Sequence, residues 1–205
     1  MNRTIRKIGS AIYYLSAYWY YRLIFGSLGW KTRIRRGLRV EHPANITIGR
    51  GVQIGNGAWL AATPHVSPNP RLVISDFCSI GRSNQIYSNT SIEIGRYVLT
   101  GDKVFISDGV HDFTDIHTPI MHQAILSKGP MTIGEGTWIG INACIIGASV
   151  GKNCVIGANS VVTRDIPDFC MAGGNPARII KRFNPDTQRW ERTSGEGNFL
   201  KPDSL

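Results

Sequence analysis

Between Ile48 and Val162 an aliphatic residue returns every six positions, usually followed at once by glycine. Ile48-Gly49, Ile54-Gly55, Ile80-Gly81, Ile94-Gly95, Ile133-Gly134, Ile139-Gly140, Val150-Gly151 and Ile156-Gly157 all fit this spacing. Six is neither the helical period of 3.6 nor the strand period of two. It is the period of a β-solenoid with short flat faces, in which each hexad supplies one strand and one corner. Successive turns then stack their aliphatic side chains into a continuous core without supporting helices. The glycines after the aliphatic residues, with Gly51, Asn56, Lys152-Asn153 and Asn159 at the turns, suit corners that need unusual backbone angles. Small residues two places before the next aliphatic one fit a tight bend.

The register slips at four places. A proline-rich stretch, Pro64 to Pro70, displaces the ladder to Ile74, and a two-residue shift falls at Ile92-Glu93-Ile94. The hexad before Val150 is one residue short. The largest break runs from His111 to Pro130, longer than the 12–15 residues at which a loop in a compact fold points to function.

The net charge of +9 is confined to one end. Residues 1–40 hold nine bases (Arg3, Arg6, Lys7, Arg22, Lys31, Arg33, Arg35, Arg36, Arg39) and no acid, and the other 14 bases balance all 14 acids. Aromatic residues are interleaved with those bases and the repeat region is neutral, which argues against a nucleic-acid partner. The apolar stretch Ile8 to Trp30 is interrupted by Arg22, Gly9, Gly26 and Gly29, so it makes a poor transmembrane span. It carries no small-residue cleavage site of the secretory type. Two readings stand open: an interfacial helix on the cytoplasmic leaflet, or a helix capping the solenoid's open strand edge. One helix can do both. Cys78, Cys144, Cys154 and Cys170 show no metal-ligand spacing, and Cys78 and Cys154 sit at small-residue hexad positions as buried fillers, compatible with a reducing cytoplasm.

The hexads from Ile48, the insertion opening Ser107-Asp108-Gly109-Val110-His111-Asp112-Phe113, the run Thr137-Trp138-Ile139-Gly140 and the ending Ile156 to Pro167 followed by Gly174-Asn175-Pro176-Ala177-Arg178 resemble the hexapeptide-repeat acyltransferases. The match is similar in particular to sugar O-acetyltransferases of bacterial surface-polysaccharide synthesis. The resemblance implies an all-β solenoid, a left-handed parallel β-helix that departs from the right-handed rule for parallel crossovers. It also implies a homotrimer, with acetyl-CoA as acyl donor between neighbouring prisms and no metal. The expected layout is a basic aromatic helical segment over 1–40, a β-helix domain over 41–182 with its insertion at 111–130, and a mobile tail over 183–205.

Acetyl transfer to a sugar hydroxyl needs a base for the hydroxyl proton, and histidine suits that near neutral pH. The resemblance puts His111 in this role. Asp112, Asp108 or a backbone carbonyl would hold its other ring nitrogen. Backbone N–H groups near Gly140 or the insertion are expected to steady the oxyanion. Asn84 and Trp138 are the candidate acceptor contacts. For coenzyme A the resemblance selects Gly140, Ala158, Thr163, Arg164 and Arg178, the arginines suiting phosphate. The acceptor is a surface-polysaccharide or lipid-linked glycan, or alternatively an amino-sugar nitrogen. The expected location is the cytoplasm, with peripheral contact on the inner face of the membrane. Two other readings exist on such a scaffold: a zinc enzyme of the carbonic anhydrase type using His111, His117 and His122, and a non-catalytic membrane scaffold. The first is disfavoured because all three histidines crowd into one insertion.

Overall fold

The computed structural model describes residues 3–200, with side-chain environments from Ile12 onward; residues 1–2 and the end of the expected tail, 201–205, lie outside the described residues. From Ser27 to Gly174 the chain passes through three parallel sheets in strict rotation. The first face contains Ser27–Leu28, Ile46–Ile48, Arg71–Ile74, Ser91–Ile94 and Met131–Ile133, and is continued by single bridges at Val150 and Ile166. The second contains Arg33–Ile34, Gln53–Ile54, Ser79–Ile80, Leu99–Thr100, Trp138–Ile139, Val155–Ile156 and Cys170–Gly174. The third contains Arg39–Glu41, Trp59–Ala62, Gln85–Ser88, Phe105–Ser107, Cys144–Ile146 and Val161–Val162. Three strands make one coil of a triangular prism.

Strand alternation turns every second residue of a face inward, and these stack in register down the axis. Leu60, Ile86, Ile106 and Ile145 form one such column, and Ile48, Ile74, Ile94 and Ile133 another; all are buried. Column members on consecutive faces show where the irregularities lie. From first to second face and from second to third, the step is six residues in every coil, as in Ile74 to Ile80 to Ile86. From third face back to first it is 8, 14, 8, 27, 5 and 4 residues in successive coils, beginning with Val40 to Ile48. All four slips in the repeat therefore fall on one edge, here called the third edge.

The two regular edges share a backbone device. Three residues beyond each inward position the chain takes a positive φ, at Lys31, Gly51, Phe77, Tyr97, Gly136, Asn153 and Phe169 on the first edge. On the second edge Gly37, Gly57, Ser83, Lys103, Asn142 and Asn159 do the same. A non-glycine residue there costs roughly 1 kcal/mol, offset by stacking between coils, as where the Phe77 and Tyr97 rings lie 5.3 Å apart. The glycines that follow the aliphatic residues do not take these angles, contrary to the sequence reading. They are required by space: a Cβ on Gly55 would lie 2.6 Å from the Arg82 nitrogen of the next coil, and one on Gly140 would lie 2.5 Å from the Ala158 nitrogen.

The expected boundaries shift at both ends. The helix α1 spans Arg3–Ile24 and lies on Ser27–Leu28 and Arg33–Ile34 of the first coil. Residues 27–41 are thus solenoid, not part of a helical segment extending to residue 40. At the other end, Cys170–Gly174 pairs antiparallel with Ala177–Asn184, which pairs in turn with Arg189–Arg192. The segment from 183, read as a mobile tail, carries strand pairing to Arg192 and a further bridge between Thr193 and Phe199. The insertion is also structured, since Gly109–His111 pairs antiparallel with Ile125–Ser127.

Candidate active site

The longest excursion on the third edge leaves the third face after Ser107. The Ser107 hydroxyl donates to the Gly109 carbonyl at 2.9 Å and accepts from the Gly109 N–H at 3.1 Å, pinning the reversal that starts the hairpin. His111 ends the first hairpin strand opposite Ile125. It opens onto a cleft of about 270 Å³ lined by Glu41, Thr63, His65, Tyr87, Asn89, Phe105, Ser107 and His111. Glu41, His65 and Tyr87 come from earlier coils and escaped the sequence reading.

The outward side of the third face beside this cleft is aromatic. Trp59 and Tyr87 meet edge to face at 5.0 Å, and Tyr87 and Phe105 pack tilted at 5.7 Å. The Arg39 guanidinium lies 3.9 Å from the Trp59 ring centre. Trp59 Nε1 donates to Glu41 Oε1 at 3.1 Å, fixing that carboxylate at the mouth of the cleft. Burial, reinforced by the Glu41 charge, raises the Tyr87 phenol above its ordinary pKa and keeps it a neutral donor.

Neither aspartate beside His111 orients its ring. Asp108 is buried, and its carboxylate accepts from Asn89 N (2.7 Å), Thr90 N (2.9 Å), Thr90 Oγ1 (2.8 Å) and Ser91 N (3.1 Å). The bend between Ser107 and Gly109 leaves it bonded to the preceding coil, where it ties down the turn that floors the cleft. Asn89 extends the link to Thr63 Oγ1 at 3.3 Å, so three coils are joined beneath His111. Asp112 folds onto its own loop, accepting from Thr114 N at 2.9 Å and Thr114 Oγ1 at 2.8 Å. Those bonds, the backbone one first, lower its pKa below the usual carboxylate range.

Other expected site residues divide the same way. Asn84 is a correction: its side chain is buried inside the prism, donating to Gly101 O at 2.7 Å and accepting from Thr100 Oγ1 at 2.7 Å. It satisfies an inward threonine and faces no cleft. Gly140 N donates to Ile156 O at 2.8 Å within the coil ladder, so it is not a free oxyanion donor. Gly140 and Ala158 stack on the second edge. Thr163 and Arg164 lie on the third, in a groove of about 350 Å³ with Lys128, Gly147, Ala148 and Ser149. Lys128 Nζ donates to Thr163 O at 3.4 Å. The shortened step from Ile145 to Val150 is turned by Gly147 at φ +57° and gives this groove a floor of small residues. Arg178 opens the terminal strand pair, its guanidinium donating to Ala177 O at 3.0 Å.

Trp138 is half exposed on the second face, in register with Leu99 and Val155. It is on a different face from the His111 cleft. A larger groove of about 460 Å³ runs along the first face between Glu93, Arg96, Glu135 and Lys152, and holds no histidine. Among the described residues, no three His, Cys, Asp or Glu side chains are placed to hold a metal ion.

Comparison with known proteins agrees with this architecture. Residues 130–164 match the model of the hexapeptide repeat of succinyl-transferase. A Mycobacterium tuberculosis protein named as an acetyltransferase is 38% identical over 139 residues, covering 67% of this chain and 44% of that one. An Escherichia coli K12 protein named as a lipopolysaccharide biosynthesis O-acetyl transferase is 34% identical over 128 residues, covering 59% and 65%. A solved hexapeptide-repeat-containing acetyltransferase of Vibrio cholerae, complexed with acetyl coenzyme A, superimposes with a TM-score of 0.56 at 25% identity, covering 83% of this chain and 78% of that one. The chain thus carries the hexapeptide repeat over residues 130–164 and resembles acetyltransferases in both sequence and fold. It spans about half to two thirds of the length of those two sequence relatives.

Proposed function

We propose that the protein is an acetyl-CoA-dependent O-acetyltransferase acting on a sugar hydroxyl of a surface polysaccharide or lipid-linked glycan precursor. The observation that carries this reading is His111, presented by the insertion into a cleft walled by aromatic rings. Apolar ring faces suit the C–H surface of a pyranose, while Glu41, Tyr87 and His65 offer polar groups for its hydroxyls. Acetyl-CoA, when bound, supplies the thioester. The groove around Lys128, Thr163 and Arg164 fits such a donor, combining two cations for phosphate with a floor free of large side chains.

His111 takes the proton from the acceptor hydroxyl as its oxygen attacks the thioester carbonyl. The carbon–sulfur bond then breaks, and the imidazolium returns the proton to the departing thiolate. Asp108 contributes by holding the turn beneath the histidine. The parallel coils are read as left-handed, and the assembly as a homotrimer. On this reading Trp138 reaches a His111 cleft only from a neighbouring copy.

A second reading is transfer to an amino-sugar nitrogen, favoured by the carboxylate of Glu41 at the cleft, which would attract an ammonium group. An acceptor screen with acetyl-CoA tests both, following thiol release and then product mass. An ester product is cleaved by hydroxylamine and an amide is not. No thiol release above hydrolysis with any sugar acceptor, or full activity in His111→Ala, would reject the proposal.

A further inference from the structure

We propose that the outer face of α1, with the basic first coil beside it, docks on the surface of an anionic lipid bilayer. The helix has two apolar faces, and capping the prism accounts for only one. Ala17, Tyr18 and Tyr21 face the first coil, with Tyr18 5.7 Å from Trp30 and Tyr21 5.6 Å from Phe25. On the opposite side Ile12, Leu15, Trp19 and Leu23 follow one another at three- and four-residue spacing, the last 84% exposed. Residues at that spacing share one helix face. Tyr20 and Trp30 are exposed nearby. Among the described residues no helix is long and apolar enough to cross a membrane. Such a face, rich in Trp, Tyr and Leu, suits insertion to the depth of the headgroups.

Charge selects the occupant. Nine bases and no acid lie in residues 1–40, while the rest of the chain is balanced. Arg22 borders the apolar stripe, and Lys31, Arg33, Arg35 and Arg36 are exposed on the adjoining coil. The two ion pairs among the described residues, Arg50–Asp76 and Arg82–Asp102, use none of them. A second copy of this face would oppose bases to bases. A polyanion without an apolar interior would leave the aromatic stripe uncovered. An anionic bilayer satisfies both the charge and the apolar surface. With α1 about 10 Å thick and coils about 4.8 Å apart, the cleft from Glu41 to His111 then lies within roughly 25 Å of the headgroups, a position that, on the acyltransferase reading, suits a lipid-carried acceptor.

The test is co-sedimentation of the full-length protein with vesicles of phosphatidylcholine alone or with a minority of phosphatidylglycerol. Binding is expected to the anionic vesicles, with about tenfold weaker binding to neutral ones and release in about 1 M salt. The double variant Trp19→Glu, Leu23→Glu alters only exposed positions and is expected to lose binding by about tenfold or more, as is Arg33→Glu with Arg35→Glu. Circular dichroism confirms folding, and thiol release with a soluble acceptor is expected to be unchanged in both variants. That last readout separates failure of docking from failure of the proposed chemistry. Absence of binding by the parent, or parental binding by both double variants, overturns the proposal. So does an oligomer that dissociates on Trp19→Glu, Leu23→Glu while the parent ignores vesicles, which would make the face a contact between copies.

Discussion

Two edges of the prism repeat one solution, and the third never repeats itself. On the regular edges a six-residue step, a positive φ at one fixed position and a glycine pressed against the next coil recur from Leu28 to Ala172. On the third edge the step ranges from 4 to 27 residues, and both the histidine cleft and the cation-lined groove lie along it. The core is unaffected, because inward positions return to register after each excursion. The scaffold thus leaves one seam free to vary, and the candidate active site lies there.

The largest test of that contrast is insertion. Two glycines placed between Asn56 and Gly57, on the second edge, would move the positive-φ corner off its close stack on the neighbouring coils and are expected to abolish cooperative unfolding. The same pair placed between Ile116 and His117, in the insertion, is expected to shift Tm by less than about 3 °C, the equivalent of under 1 kcal/mol. Equal damage at both sites would remove the distinction between edges.

Chemistry assigned to the third edge predicts that His111→Ala loses about 10²- to 10⁴-fold in kcat/KM, with Tm unchanged. Asp108→Ala is expected to lower stability by about 3 kcal/mol, since it strands donors that now converge on a buried carboxylate; urea unfolding measures it. Asp112→Ala removes only bonds within an exposed loop and is expected to leave stability nearly unchanged. On the second edge Gly140→Ala forces a Cβ against the Ala158 nitrogen and is expected to cost about 1–3 kcal/mol in the same assay.

The smallest effect concerns the thiols behind the first edge. Burial pushes Cys78 and Cys154 up to about 11 from 9.0. At pH 8 this reduces their thiolate fraction about 100-fold, so iodoacetamide should label them about 100-fold more slowly than in the unfolded chain. Because the folded pKa lies above the unfolded one, this contribution is complete below pH 9 and is lost as pH rises toward 11. Rapid labelling of both thiols in the native protein would show that the regular edge opens readily.

The solenoid was legible because inward positions must be aliphatic, so its period is written directly in the sequence. The first coil was overlooked although Leu28, Ile34 and Val40 keep the spacing, because Arg35 stands where later hexads carry glycine. That the slips share an edge becomes visible only when hexads are counted in threes. The site was half legible. His111 is announced by the break in the ladder, whereas Glu41 and His65 lie 70 and 46 residues before it and meet it only through coil stacking. Asp108 misled because proximity in sequence is not proximity of side chains: it sits at the bend between two strands, and its carboxylate is held by residues 89–91 of the preceding coil. Asn84 misled because a polar residue at a hexad's small position was read as facing outward, when Thr100 makes the interior polar there.

Both ends of the prism are closed, by α1 at the first coil and by the antiparallel strands through Arg192 at the last. An uncapped solenoid is its own template, each terminal coil offering unpaired backbone groups to the next molecule. Here that axial route is blocked, the final strand ending its pairing with Arg189 and Arg192 at the edge. The proposed homotrimer would therefore have to form through the lateral faces, where arrangement around an axis closes into a finite ring and does not extend into a fibre.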